Sequence, residues 1–277
     1  MNQAKEVCVI TGGGSGMGFA TAKRLGKKGM HLILASRTAS KLQSAVDELT
    51  TMGIEAEVCV CDLCEWDSVR ALAATAASRG KVTTVIHAAG MSPHMGDAEK
   101  IMRGNALGTI HIHDAFYGVI APGGCLIDTS SMSAYLVPLL VMPKNAFKHS
   151  QTDRDKFMKK MMARVNLFPS KARPGVSYGI SKYFVIWYAK AEAARFGAKN
   201  VRTLSITPGN FETPMGELEK DEAQTYLKFN AIKRLGQPDE IAALYEACAD
   251  PAMGYLTGLD IICDGGCIAG GANAFSK

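Results

Sequence analysis

The chain has 277 residues, 47% of them hydrophobic, and its 31 Lys and Arg against 26 Asp and Glu leave a formal charge of +5. That length suffices for one large α/β domain or two small ones, with a sizeable buried core. Read as dispersed along the chain, so modest an excess of cations argues against a nucleic-acid patch. No stretch reaches the roughly 18 uncharged apolar residues that a membrane helix needs.

Met1 to Glu6 lead straight into an apolar strand with no secretion-signal core, so the expected compartment is the cytoplasm. Val7 to Ile10 is a short continuous apolar run that ends in a glycine-rich turn, and a helical pattern through Phe19, Ala22 and Leu25 follows. Leu32–Ala35, Val58–Val60 and Val82–Ala88 predict three more strands, separated by helices over Lys41–Leu49 and around Val69–Ala77. Further strands are expected at Cys125–Asp128, Val201–Ile206 and Leu259–Cys263. Uninterrupted Val/Ile/Leu runs alternating with helices indicate strands covered on both faces. The expected fold is therefore α/β, a doubly wound parallel sheet of about seven strands with helices on both faces. With no linker and no internal repeat, residues 1–277 read as one domain.

Two stretches stand apart from this pattern. Of eight cysteines, Cys59, Cys61 and Cys64 cluster, but no second Cys/His pair follows at zinc-site spacing. They read as reduced thiols with no metal. The segment from about 135 to 176 breaks the strand–helix rhythm. It carries prolines, a charge-rich part, and a stripe of Phe157, Met158, Met161, Met162 and Val165 opposite Lys159, Lys160 and Arg164. An excursion of that length in a compact domain is usually functional or mobile.

Thr11-Gly12-Gly13-Gly14-Ser15-Gly16-Met17-Gly18 stands between the first strand and first helix. Glycines there permit positive φ and let backbone approach a pyrophosphate at the helix N-terminus. The second strand ends Ala35-Ser36-Arg37-Thr38, without the acidic residue that accepts the ribose hydroxyls of NAD. The fork of Arg37, with Ser36 and Thr38 as extra donors, suits a 2′-phosphate, so NADP(H) is favoured over NAD(H). The plain alternative is that Arg37 is a solvated residue at a helix start.

Tyr178 and Lys182 are four residues apart and so share one helix face. A phenol exchanges protons poorly near neutrality. A neighbouring ammonium favours its ionised form and fits it for general acid–base work.

Together these motifs resemble the short-chain dehydrogenase/reductase family over nearly the whole chain. Thr11 to Gly18 is similar to its cofactor loop, including Gly12, Gly14, Ser15, Gly16, Met17 and Gly18. Asp62-Leu63 resembles the adenine-binding pair, and His87-Ala88-Ala89-Gly90 stands where the family has Asn-Asn-Ala-Gly. Asn105 matches its mid-helix asparagine, Ser131 its catalytic serine, and Tyr178 and Lys182 its Tyr-x-x-x-Lys pair. Ser133 is a near neighbour that could be mistaken for Ser131. Pro208-Gly209, Phe211 and Thr213 are similar to the turn that holds the nicotinamide end, and Arg234 to Ala242 and Tyr255 to Gly266 match the C-terminal pattern. The resemblance implies a single-domain Rossmann fold and ketone–alcohol interconversion. Tyr178 would be the proton donor or acceptor, Ser131 a second hydrogen-bond donor, Lys182 a partner of both Tyr178 and the nicotinamide ribose, and Asn105 the holder of a water leading from Lys182 to solvent.

Two spacings depart from the family. Only 14 residues separate Gly90 from Asn105, while 46 separate Ser131 from Tyr178, far more than usual. That arrangement is similar to bacterial hydroxysteroid dehydrogenase/carbonyl reductase members, and it puts the usual four-helix dimer contact in doubt. The family otherwise implies a homodimer or homotetramer. The long segment either forms a lid over a bulky apolar substrate, such as a steroid or bile acid, or packs on the core or a second subunit; Pro214 to Asn230 is a second substrate-loop candidate. A smaller ketone is the alternative substrate. A non-catalytic NADP(H)-binding sensor or scaffold is the alternative of another class, and it would have lost one of Asn105, Ser131, Tyr178 and Lys182. His94, His111, His113 and His149 read as structural or surface residues.

Overall fold

A computed structural model describes residues 5–273 apart from 219. Met1 to Ala4, on which the expectation of no secretion signal falls, lie outside the described residues.

The first half is built as the apolar runs dictate: β1 (Glu6–Thr11), α1 (Gly16–Lys27), β2 (His31–Ser36), α2 (Ala39–Thr51), β3 (Ala56–Val60), α3 (Trp66–Arg79) and β4 (Lys81–His87). After β4 come α4 (Ala98–Met102), a π-helical turn (Arg103–Leu107), α5 (Gly108–Tyr117) and β5 (Cys125–Thr129). The excursion folds as α6 (Ser133–Leu136), a 3-10 turn (Leu139–Val141), α7 (Lys144–Phe147) and α8 (Arg154–Val165), and delivers the chain into the long α9 (Arg173–Gly197). β6 (Arg202–Pro208), α10 (Pro214–Glu217), α11 (Lys220–Leu227), α12 (Pro238–Ala249) and β7 (Asp260–Cys263) complete it.

The seven strands pair in the order β3-β2-β1-β4-β5-β6-β7, every pairing parallel. Alternate residues of each strand feed opposite layers. Cys8, Ile10, Leu32 and Leu34 pack with Leu25, Leu42, Leu49, Ile241 and Tyr245 on one face. Val7, Val9, Ile33 and Leu126 pack with Val69, Leu72, Phe116 and Phe196 on the other. Burial on both sides is why the strands read as unbroken apolar runs rather than alternating ones. The strand order reverses between β1 and β4, and a crevice opens there at the carboxyl ends of the strands.

The apolar stripe of the excursion faces inward. Phe157, Met161 and Val165 are fully buried in a cluster with Ala106, Ile110, Ile180, Phe184 and Tyr188. Phe157 and Phe184 have ring centroids 4.8 Å apart, and Phe147 and Phe184 5.2 Å. Asp153 starts α8 by accepting a hydrogen bond from the Lys156 N–H at 2.9 Å. Of the two placements open to the stripe, the structure has it packed on the core formed by α5 and α9 rather than over the crevice.

Candidate active site

The crevice is a cleft of about 1400 Å³, its open mouth included. One wall is the β1–α1 loop. Gly12 (φ 70°) and Gly16 (φ 55°) are in the left-handed region that favours glycine. A Cβ on Gly12 would meet the Ala89 nitrogen at 2.9 Å, and one on Gly18 would meet the Gly12 carbonyl oxygen at 2.5 Å. Loop, helix start and β4 end therefore close on one another only without side chains. Ser15 is the extended N-cap of α1, and no side chain caps that helix. Its first N–H groups, which lack partners within the helix, and the helix dipole could hold an anion at the cleft.

Gly14, Ser15, Met17, Ser36, Arg37, Asp62, Leu63, Ala88, Ala89 and Gly90 also line the cleft. Arg37 is exposed at its rim. Sequence reasoning passed over Lys41, a second rim cation in the first turn of α2, and the methionines Met91, Met95 and Met215. A Lys at a helix start and scattered methionines carry no motif; only the fold gathers them. Asp62 is turned by its local bonds, its carboxylate accepting from the Cys64 N–H at 2.9 Å.

At the inner end, Ser131, Tyr178 and Lys182 line the cleft, all three nearly buried. The Lys182 Nζ donates to the Thr129 carbonyl at 2.9 Å and lies 5.9 Å from the centre of the Tyr178 ring. The Ser130 hydroxyl donates to the Lys182 carbonyl, which ties β5 to α9. Gly90 makes room for this contact, since a Cβ there would be 3.0 Å from Lys182 Nζ and 3.3 Å from Asn105 Oδ1. Ser131 Oγ accepts from the Ser133 N–H at 3.2 Å. It is Ser131, not Ser133, that lines the cleft.

Asn105 stands behind Gly90 in the π turn. Its Oδ1 accepts from the Met91 N–H at 2.8 Å, while Nδ2 donates to the Met91 carbonyl and to Ser181 Oγ. The side chain thus clamps the β4–α4 loop to α9. Its backbone carbonyl accepts from Thr109 Oγ1 at 2.7 Å. That bond opens a directed chain which accounts for the unusual His87. Ala89 N–H donates to Thr11 Oγ1, which faces His87 Nδ1 at 2.8 Å, and His87 Nε2 faces Thr109 Oγ1 at 3.2 Å. All groups are satisfied if the His87 proton is on Nε2. Burial, reinforced by Lys182, holds the His87 pKa down at about 4, so the ring is neutral.

The four residues expected at the nicotinamide end differ in what they face. Pro208 and Thr213 line the cleft, but Gly209 and Phe211 do not. Gly209 lies against Asp264, whose Cα a Cβ would meet at 2.6 Å, and Phe211 is a buried core residue covered by Gly236. Thr213 Oγ1 accepts from the Gly216 N–H, starting α10. No residue of the 136–176 excursion lines the cleft.

One buried cluster lies away from the cleft. His113 Nε2 is 2.7 Å from Asp128 Oδ2, and Nδ1 is 3.8 Å from Glu192, all three fully buried. At that distance Glu192 acts as a neighbouring charge rather than a hydrogen-bond acceptor. Burial opposes the imidazolium, but the two carboxylates prevail and lift the His113 pKa to about 9. Glu192 passes the network outward to Arg195, Asp114 and Arg154.

Residues 6–148 match the family model for short chain dehydrogenase, and 160–267 that for Enoyl-(Acyl carrier protein) reductase. A Short-chain dehydrogenase/reductase, bsc3, from Alternaria brassicicola is 30% identical over 272 residues, covering 96% of this chain and 97% of its own. The chain belongs to the short-chain dehydrogenase/reductase family. Another relative, 2,5-dichloro-2,5-cyclohexadiene-1,4-diol dehydrogenase LinX from Sphingobium indicum, is 27% identical, covering 95% of this chain and 96% of its own. Among solved structures, a short-chain dehydrogenase from Burkholderia cenocepacia in complex with NADP superposes with a TM-score of 0.75 at 21% identity, covering 94% and 97% of the two chains. The protein is accordingly an NAD(P)-dependent oxidoreductase of alcohol and ketone groups. Among the described residues no helix is long and apolar enough to cross a membrane.

Proposed function

We propose that this short-chain dehydrogenase/reductase interconverts a bulky apolar ketone and its secondary alcohol with NADP(H). Tyr178 would be the proton-exchanging group. The observation that carries the reading is the polarity of one cleft: glycine loop and exposed cations at one end, Ser131, Tyr178 and Lys182 at the other.

The residues fit the dinucleotide. The uncapped start of α1 and the side-chain-free approach at Gly12 and Gly18 suit a pyrophosphate. Arg37 and Lys41, with Ser36 and Thr38, supply charge and donors for a 2′-phosphate. Bound there, NADP(H) supplies or takes up the hydride. As the ketone is reduced, negative charge grows on its oxygen. Ser131 Oγ and Tyr178 Oη are the donors for that oxygen, and Tyr178 gives up the proton. The Lys182 ammonium, held by the Thr129 carbonyl, favours the phenolate that remains. Asn105 fixes the loop and α9 on which these groups stand, and its π-turn carbonyl faces Thr109. In the oxidative direction Tyr178 Oη accepts the proton instead.

Bulk and apolarity of the substrate rest on Met91 and Met95, which cluster with Tyr178, and on Met215, which also lines the cleft, adaptable side chains suited to broad apolar contact. A steroid or bile acid has that character. LinX, whose name gives a cyclic diol as substrate, is a relative in keeping with it. We further propose a cytoplasmic homo-oligomer whose 135–176 segment stays packed on α9 rather than closing as a lid. The test is a panel of hydroxysteroids and small ketones, assayed in parallel with NADPH and NADH. Turnover with NADPH on the larger substrates is expected; turnover of small polar ketones alone would remove the bulky-substrate reading.

A further inference from the structure

The charge of this chain is not evenly spread. Between residues 136 and 176 nine Lys and Arg stand against two Asp, a net +7 where the whole chain carries +5. The net excess of cations, taken as dispersed in the sequence, is thus gathered on one insertion. Arg154 pairs with Asp114, and Arg173 donates to the Phe168 and Asn166 carbonyls. The other seven are Lys144, Lys148, Lys156, Lys159, Lys160, Arg164 and Lys171. Among the described residues none of them makes an ion pair. Six of the seven are exposed, and Arg164 is half-buried. Their field is felt locally: partial burial, then the charges of Lys156 and Lys160, hold the His149 pKa below its ordinary value.

Three of these cations, Lys144, Lys160 and Arg164, border a groove of about 950 Å³, open to solvent, between α7 and α8, beside Met142 and Leu167. Leu167 is 74% exposed. The 3-10 turn leading into the groove presents Leu139 at 63% and Leu140 at 90%. Exposed leucines beside cations that make no ion pair mark an interaction surface.

We propose that this face docks on an anionic phospholipid surface, the cations meeting headgroups and the Leu139–Leu140 turn entering the interface. Charge complementarity and the leucines both favour lipid. Lysine is depleted at protein–protein interfaces, yet six of the seven unpaired cations are lysines, which disfavours an acidic protein partner. The inward stripe of α8 is already committed to the core, so docking uses the outer face and leaves the cleft untouched.

The test is co-sedimentation of the full chain with phosphatidylcholine vesicles, with and without phosphatidylglycerol, at low and high salt. Binding is expected only with phosphatidylglycerol and should weaken as salt rises. Each neutralised cation should weaken it about fivefold, and the triple variant Lys144→Gln/Lys160→Gln/Arg164→Gln on the order of 100-fold. Leu139→Ser/Leu140→Ser should weaken it by on the order of tenfold. NADPH binding should be unchanged in all variants, which reports the fold; should the triple variant lose it, the single variants Lys144→Gln and Lys160→Gln carry the test. Absence of binding at low salt, equal binding to both vesicles, or indifference to the cation substitutions overturns the proposal. Binding that polyglutamate displaces and the leucine changes leave intact overturns it in favour of an acidic protein.

Discussion

Helices α8 and α9 pack against each other and bury apolar side chains in one cluster, yet their polar residues behave in opposite ways. On α9, Tyr178, Ser181 and Lys182 are buried, and Ser181 and Lys182 hydrogen-bond to fixed partners on α9, β5 and the π turn. On α8, Lys156, Lys159 and Lys160 are exposed and make no ion pair among the described residues. A buried polar group is costly unless its bonds are made, and bonds like those of Ser181 and Lys182 fix its position. An exposed lysine is constrained by little but long-range charge. Geometry for chemistry is therefore on α9, and attraction for a partner is on α8.

Substitutions on the two helices should separate these roles. Tyr178→Phe is expected to lower kcat by 10²–10⁴-fold, on the order given by losing one general acid, with NADPH binding retained in a fluorescence titration. Loss of binding together with turnover would make the residue structural instead. Phe157→Ala removes a fully buried ring and should cost about 3–5 kcal/mol by chemical denaturation. KM for NADPH should stay as it was, because the stripe does not reach the cleft.

The His113 cluster gives a pH signature independent of catalysis. Its folded pKa of about 9 exceeds the ordinary histidine value, so its contribution is complete below that ordinary value and is lost as pH rises through 9. Stability should fall by up to about 3 kcal/mol between pH ~6.5 and ~9. His87 acts on the acid side. Its pKa of about 4 lies below the ordinary value, so stability falls as pH drops from ~6.5 toward 4. Denaturant midpoints across that range should peak near neutrality, and the alkaline fall should vanish in His113→Gln. At the cofactor end, Arg37→Gln should raise KM for NADPH by about tenfold to 100-fold, on 1.5–3 kcal/mol for a charged hydrogen bond, and leave NADH nearly unaffected. Smallest of all, Lys159→Gln should change stability by no more than about 0.5 kcal/mol. A larger loss there would mean that α8 draws on its charges for folding.

The seven strands, the glycine loop and the Tyr178/Lys182 pair were legible because each leaves a local pattern: an apolar run, positive-φ glycines, a four-residue helix spacing. The direction of the α8 stripe was not, because an amphipathic period shows that one face is apolar but not what it meets. Lys41 and the three cleft methionines come together only through the crossovers of the sheet. His87 read as a departure from a motif, and only the fold brings Thr11 and Thr109 to its two ring nitrogens. His113 read as an ordinary structural residue for the same reason: its partners Asp128 and Glu192 are 15 and 79 residues away. Gly209 and Phe211 match a motif position, and only the fold shows that they pack against Asp264 and Gly236.

The most direct measurement is a crystal structure with NADPH and an unreactive ketone analogue bound. The nicotinamide is expected at the Ser131–Tyr178 end, within about 3–3.5 Å of the carbonyl carbon that those two hydroxyls hold in place. The adenosine 2′-phosphate is expected against Arg37 and Lys41, with residues 136–176 still packed on α5 and α9. A nicotinamide placed away from Tyr178, or an excursion that leaves α9 to close over the cleft, would contradict this assignment.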